Sequence, residues 1–323
     1  MSDLPQKIRI NEEGPREGFQ FEKGPIATDR KIALIDSLSE TGLKQIQVAS
    51  FVNPKNVPGM ADATEVVAGF TRHPGISYTA LWLNEKGLQR ALATRRLDVK
   101  GSLSLTASEA FLKRNQNRTA SEDLAAERGI ARMYKANNVP VERISIRAAF
   151  GCNYQGDISV SHIVALISSL VEMANEEGFA IRVVSLADTM AWATPASVKR
   201  LVGAIRESHP DLAIALHLHD TRGMGIANAF AGLEMGVAIF DASVAGLGGC
   251  PFAGHCGAAG NVCTEDLVFM CDEMGIETGV DLSKLIESAL LAEDVVGHPL
   301  PGSVMRGGTL KALRAAAQLG ASA

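Results

Sequence analysis

His217-Leu218-His219 is the sharpest chemical signal in the chain. In a β-strand side chains alternate with period two, so both imidazoles face one side while Leu216 and Leu218 face the other. Two histidines at a strand end can chelate one divalent ion, with oxygen ligands drawn from neighbouring strands. The plain alternative is a pair of hydrogen-bonded core histidines. Glu17 supplies an acidic third ligand, although a glutamate following an arginine is, taken alone, usually a solvated ion pair. Asn261 completes the set through its carbonyl oxygen. Carboxylate, imidazole and amide oxygen together suit Mg²⁺ or Mn²⁺ better than structural zinc.

Cys250 stands in the run Gly246-Leu247-Gly248-Gly249-Cys250-Pro251-Phe252-Ala253-Gly254-His255-Cys256. So many glycines describe a loop that moves or adopts positive φ. A thiol on such a flap beside a metal can donate a proton, since a free cysteine titrates at about 8.5. Cys256 shares the flap and is left undecided. A zinc site from Cys250, His255 and Cys256 is conceivable but lacks paired CxxC spacing. Cys152, Cys263 and Cys271 read as buried, inert thiols. Arg16, after a Gly-Pro turn, can stabilise negative charge developing on a carbonyl oxygen; its ordinary reading is a surface salt bridge to Glu12 or Glu13.

These residues need elements to position them. Apolar, β-branched runs recur at Lys7–Asn11, Gln45–Phe51, Ile76–Leu83, Lys100–Leu105, Arg143–Phe150, Ala180–Leu186, Ile214–His219 and Phe240–Gly246. Their starts lie roughly 25–45 residues apart, the pace of βα units. Helices are expected at Asp29–Thr41, Ser121–Asn137, Ser159–Glu177, Pro195–His209 and Ala227–Met235, opened by Asp29, Ser121, Ser159 and Thr194-Pro195. Eight strands with intervening helices predict a (β/α)8 TIM barrel of roughly 250 residues with extra C-terminal helices. A doubly wound sheet competes, but no GxGxxG follows a strand. The expectation is a single domain over residues 1–323, with the barrel at about 7–260 and the helical extension at about 261–323. The strand ends also carry Gln47, Ser50, Ser185 and Asp188, and chemistry in this fold collects at that rim.

Composition narrows the class. The 323 residues hold 31 basic and 36 acidic side chains, a formal charge of −5, with 46% apolar and 21% charged residues. That is ordinary for a globular protein, and the absence of a basic block argues against nucleic acid or anionic membrane partners. No apolar run approaches the ~20 residues that span a bilayer. Five cysteines in so long a chain do not form a disulfide framework. Neither Met-Ser-Asp-Leu-Pro-Gln-Lys nor the final Gly-Ala-Ser-Ala reads as a targeting signal, so a cytoplasmic enzyme is the expectation.

Longer motifs then carry a resemblance. Gly14-Pro15-Arg16-Glu17-Gly18-Phe19-Gln20 resembles the Gly-Pro-Arg-Asp-Gly-Leu-Gln signature of the 3-hydroxy-3-methylglutaryl-CoA lyase family. Ser50-Phe51-Val52-Asn53-Pro54-Lys55 is similar to its Ser-Phe-Val-Ser-Pro-Lys segment, and Leu216–Gly223 and Gly246–Pro251 to its histidine motif and cysteine flap. The likeness runs from about Ile8 to Asp281. It implies a divalent metal, Mg²⁺ or Mn²⁺, on Glu17, His217, His219 and Asn261, catalytic roles for Arg16 and Cys250, and substrate contacts from Ser50, Asn115, Ser185 and Asp188. An acyl-CoA substrate and a homodimer are implied as well. The chain departs from the pattern in places. Glu17 replaces an aspartate, as in related acyl-CoA synthases; Gln47 replaces a strand-2 glutamate; the flap is longer; and Ala191-Trp192-Ala193 replaces a Gly-Val-Gly-like stretch, placing Gln47 and Trp192 among the residues expected to shape the acyl pocket.

The chemistry so implied is a metal-dependent retro-aldol (Claisen-type) cleavage of a 3-hydroxyacyl-CoA, with hydroxymethylglutaryl-CoA giving acetyl-CoA and acetoacetate as the leading case. His217 or a water would take the 3-hydroxyl proton, Arg16 would stabilise the thioester enolate, Cys250 would protonate it, and Asp188 would orient His217 or share the proton traffic. A lyase for another hydroxyacyl-CoA such as citramalyl-CoA, a superfamily aldol or carboligase enzyme, and a non-catalytic metal- or CoA-binding relative stay open beside it.

Overall fold

The computed structural model describes residues 4–22, 24–249, 260–311, 313, 314 and 317. Eight strands run β1 Arg9–Glu12, β2 Gln45–Ser50, β3 Ser77–Leu81, β4 Gly101–Thr106, β5 Val141–Arg147, β6 Val183–Ala187, β7 Ala213–His217 and β8 Ile239–Ala242. Each overlaps one of the eight expected runs. All pairings are parallel, in the order β3-β2-β1-β8-β7-β6-β5-β4, and helices follow the strands to form the outer layer of a TIM barrel.

Period two decides what each strand gives to each side. Ile144, Ile146, Val184, Leu186, Leu216 and Phe240 are wholly buried and belong to the apolar core. The alternate positions hold Arg143, Ser185, His217 and Asp241, an unusually polar set for strands. Parallel register carries them side by side, with Ala187 level with His217, His217 with Asp241, and Asp241 with Asn11.

Among the described residues β3 and β4 share no ladder, and both edges are covered by other groups. Asp98 serves the β3 edge, its N–H donating to the Tyr78 carbonyl at 2.8 Å and its carboxylate accepting from the Tyr78 N–H at 2.9 Å. On β4 the Ser104 N–H donates to Glu127 at 2.9 Å and the Thr106 N–H to Asp123 at 3.3 Å. Asp123 and Glu127 are one helical turn apart on Ala120–Ala136, matching the two-residue repeat of the strand amides. The Trp82 indole N–H reaches the Tyr134 hydroxyl at 3.0 Å across the same seam.

The caps differ in part from expectation. Ser159 and Thr194 cap their helices as read from sequence. Helix Ala120–Ala136 starts earlier, with Thr119 and Glu122 forming a capping box, so Ser121 lies inside it. Helix Thr28–Ser39 has no side-chain cap, and Asp29 sits in its first turn. Helix Thr264–Glu273 follows β8 as the outer helix of the eighth unit. Leu282–Val296 then packs on Thr28–Ser39, where Ser37 and Ser288 hydroxyls meet at 2.7 Å. No helix among the described residues is long and apolar enough to cross a membrane.

Candidate metal and active site

β1 ends in buried Glu12, and buried Glu13 follows as the N-cap residue of the helix Gly14–Phe21, with Pro15 in its first turn. Arg16 and Glu17 therefore stand in the first helical turn, over the C-terminal rim of the barrel. Glu12 fixes that turn: its carboxylate accepts from the Gly14 N–H at 2.7 Å, the Val244 N–H at 2.9 Å and the Thr264 hydroxyl at 2.6 Å. Burial pushes Glu12 up to about 8, against these three donors. Gly14 has no alternative, because a Cβ there would lie 2.5 Å from the Glu12 carboxylate.

Glu17, His217 and His219 converge, their ligand atoms all within 4.8 Å of one another. His217 ends β7, and its Nε2 lies 3.7 Å from Glu17 Oε1. His219 follows two residues on, with Nδ1 3.2 Å from the Thr189 carbonyl. That contact makes Nδ1 the protonated nitrogen and leaves Nε2 as the lone-pair donor. Asn261 is brought in by a backbone bridge to His219, secured by Asp220 N–H to the Gly260 carbonyl and Val262 N–H to the Leu218 carbonyl, both 2.8 Å. Its side-chain N–H donates to Glu17, while its carbonyl oxygen is buried without a partner. A metal would satisfy that orphaned oxygen, so carboxylate, two imidazoles and an amide oxygen fit a hard divalent ion.

The electrostatics suit ligation. Burial alone would raise Glu17, but Arg16, His217 and His219 together hold it down at about 2. Burial and the neighbouring His217 charge lower His219 to about 4, so it is neutral. His217 moves the other way: burial opposes its charge, and Glu17 and Asp241 more than offset that.

Arg16 is no surface pair. Its Nε donates to Gln47 Oε1, Nη2 lies 2.7 Å from Glu13 and Nη1 2.7 Å from Glu17. Burial drives Glu13 up to about 7, with Arg16 pulling it back. The register of β2 against β3 shifts between Gln47 and Ala49, a bulge that breaks the two-residue alternation between Gln47 and Ser50. Ser50 is wholly buried, with an unpartnered hydroxyl.

Asp188, just past β6, accepts on Oδ1 from the Trp192 N–H at 2.7 Å and the Ala193 N–H at 3.0 Å, while Oδ2 has no partner. Burial raises it to about 7, partly opposed by those amides. The ring of His217 is met by Asp241, whose Oδ2 lies 3.3 Å from Nδ1. Asp188 thus does not take the orienting place expected for it, and its open oxygen leaves the proton-carrying part of that expectation. Ser185, expected to touch substrate, is buried and accepts from Arg143 at 2.8 Å. Asn115 is exposed on the helix Glu109–Gln116 and joins none of these contacts. Trp192 packs on Gly151 and donates to Asn153 at 2.7 Å.

Cys250, His255 and Cys256 lie outside the described residues, so the proton-donor and zinc readings of the flap stay expectations. The residues flanking that segment approach closely: a Cβ on Gly260 would sit 2.7 Å from the backbone of Gly248. Cys152, Cys263 and Cys271 are buried free thiols, and burial pushes Cys271 up to about 12. Sequence reading missed Glu13, Asn11, Arg143 and Asp241. The available signal was a charged residue inside an apolar strand run, Asp241 in Ile239-Phe240-Asp241-Ala242 and Arg143 in Val141-Glu142-Arg143-Ile144.

Comparison with known proteins identifies the family of the chain. The HMGL-like family pattern matches residues 7–291. A mitochondrial hydroxymethylglutaryl-CoA lyase from Gallus gallus is 43% identical over 285 residues, 88% of this chain and 92% of that protein. The crystal structure of a hydroxymethylglutaryl-CoA lyase from Pseudomonas aeruginosa superposes with a TM-score of 0.85 at 38% identity, covering 97% of this chain and 99% of that one. An Acinetobacter baumannii HMG-CoA lyase solved with coenzyme A and 3-methylmalate gives a TM-score of 0.83 at 36% identity, with 94% and 96% covered. The chain belongs to the HMGL-like family.

Proposed function

We propose that the protein is a divalent-metal-dependent carbon–carbon lyase that cleaves a 3-hydroxyacyl-CoA, with hydroxymethylglutaryl-CoA as the substrate and acetyl-CoA and acetoacetate as products. The observation that carries this reading is the convergence of Glu17, His217 and His219 beside the unpartnered Asn261 oxygen and the Arg16 guanidinium. Glu17, His217, His219 and Asn261 would hold Mg²⁺ or Mn²⁺, which when bound polarises the substrate oxygens and lowers the pKa of the 3-hydroxyl.

The chain's own groups do the rest. Asp188, pushed up to about 7 by burial and with one oxygen open, accepts the hydroxyl proton as the C2–C3 bond breaks. Arg16, fixed by Gln47 and Glu13, faces the negative charge that develops on the thioester oxygen. Cys250 returns a proton to the enolate carbon. Ser50, with its free buried hydroxyl, positions the acyl group, and Trp192 walls the pocket.

Trp192 and Gln47 favour a second reading, in which the same site cleaves a related hydroxyacyl-CoA such as citramalyl-CoA. The proposal includes a homodimer in the cytoplasm, tested by sedimentation and cell fractionation. The deciding experiment is thioester cleavage by the purified protein with Mg²⁺ or Mn²⁺ and with EDTA. Metal-dependent acetyl-CoA release from hydroxymethylglutaryl-CoA supports the first reading. Turnover of citramalyl-CoA alone supports the second, and bound metal with no turnover of either removes both.

A further inference from the structure

The barrel interior below the rim holds a buried polar set that the proposed chemistry does not use. Asp241, on β8, is 3% exposed and sits among side chains from four other strands. Its Oδ1 accepts from Asn11 Nδ2 at 2.8 Å. Its Oδ2 accepts from Arg143, which crosses from β5 and also donates to Ser185 on β6 at 2.8 Å. The same Oδ2 lies 3.3 Å from His217 Nδ1 on β7. The parallel register places His217, Asp241 and Asn11 level with one another, so the contact follows from the ladder itself.

A neutral imidazole carries its proton on one nitrogen only, and the partner of one nitrogen decides what the other can do. A carboxylate fixed by an arginine can only accept, so in the neutral ring the proton belongs on Nδ1, beside Asp241 at 3.3 Å, and Nε2, on the side of Glu17 at 3.7 Å, is the nitrogen left with its lone pair. Ligating histidines held from behind by a carboxylate gain both orientation and basicity. We propose that Asp241 is a positioning residue for His217, with Arg143 and Asn11 as the clamp that fixes it: five strands hold the neutral imidazole in the ligating tautomer. This inference rests on the reading of His217 as a metal ligand. Its two histidines are set by different means, His219 by a backbone carbonyl and His217 by a buried carboxylate.

Two measurements on the full-length protein test it. The first is the ¹⁵N imidazole spectrum of the wild type at alkaline pH, with and without Mg²⁺. Protonation of His217 at Nδ1 in both states is expected, and an Nε2-protonated ring in the metal-free protein overturns the proposal. The second is Mn²⁺ binding followed by electron paramagnetic resonance, without substrate. Asp241→Asn should raise the Mn²⁺ Kd about ten- to a hundredfold, whereas Asn11→Ala, which loosens the same pocket but leaves the acceptor in place, should have a much smaller effect. Wild-type affinity in Asp241→Asn, or an equal loss in Asn11→Ala, overturns it. Should Asp241→Asn not fold, the wild-type spectrum decides alone. Absence of Mn²⁺ binding by the wild type would instead sink the metal reading, a failure the tautomer measurement keeps separate.

Discussion

The Nε of Arg16 donates to the side-chain carbonyl of Gln47, so the arginine is held from β2 by an uncharged partner while Glu13 and Glu17 take its other nitrogens. Gln47→Leu removes that acceptor and leaves the ion pairs, and should lower kcat/KM roughly a hundredfold through misorientation of the guanidinium. Gln47→Glu keeps an acceptor and should cost less. Steady-state kinetics with matched metal loading check both, and an unaffected Gln47→Leu would show that Arg16 needs no partner from β2.

Metal binding should register as stability. A ligand bound only by the folded state adds about 2.7 kcal/mol at a hundredfold excess over its Kd. Mn²⁺ should therefore raise the Tm of the wild type and leave that of Glu17→Ala nearly unmoved, because the carboxylate that draws the ion is gone. Scanning calorimetry across a Mn²⁺ titration reads the difference.

Cys250→Ala should lower kcat by roughly 10²–10⁴, the usual worth of one positioned proton donor, without changing Mn²⁺ stoichiometry. Metal analysis beside turnover separates a lost proton from a lost site. Full activity in the variant would assign the proton to another group.

Glu127 gives the clearest pH signature away from the candidate metal cluster. Burial raises it from 4.5 to about 7, partly opposed by the Ser104 N–H it accepts. Because the folded value is the higher one, its contribution to stability is complete below pH 4.5 and is lost as pH rises through 7. Relative to Glu127→Gln, the wild type should lose Tm between about pH 5 and pH 8. Parallel lines for the two proteins would contradict the burial argument.

Much of this is legible in the amino-acid sequence itself. The eight strands show as β-branched runs at regular spacing, and the candidate metal cluster as the two histidines of His217-Leu218-His219. What stayed hidden depended on register. Asp241 and His217 are distant neighbours in sequence and become lateral neighbours only once β7 and β8 are aligned. Nothing in the run Arg143–Phe150 says that the Arg143 face of β5 is the interior one; the contacts to Asp241 and Ser185 do. The β2 bulge, likewise, has no residue signature in Gln47-Val48-Ala49. The family resemblance implies a substrate contact for Ser185, and its place beside Arg143 gives it a partner within the protein.

Among the described residues the two edge strands of the sheet are finished by side chains and not by a ladder. A β-strand with bare amides is a template, and any extended segment of another chain can pair with it. Asp123 and Glu127 occupy the amides of Ser104 and Thr106 from a helix that also packs on the strand, so the β4 edge is guarded. Replacing both carboxylates by alanine would cost packing on one side and open a docking edge on the other. The first symptom of a weakened seam should then be association between molecules, ahead of any loss of catalysis.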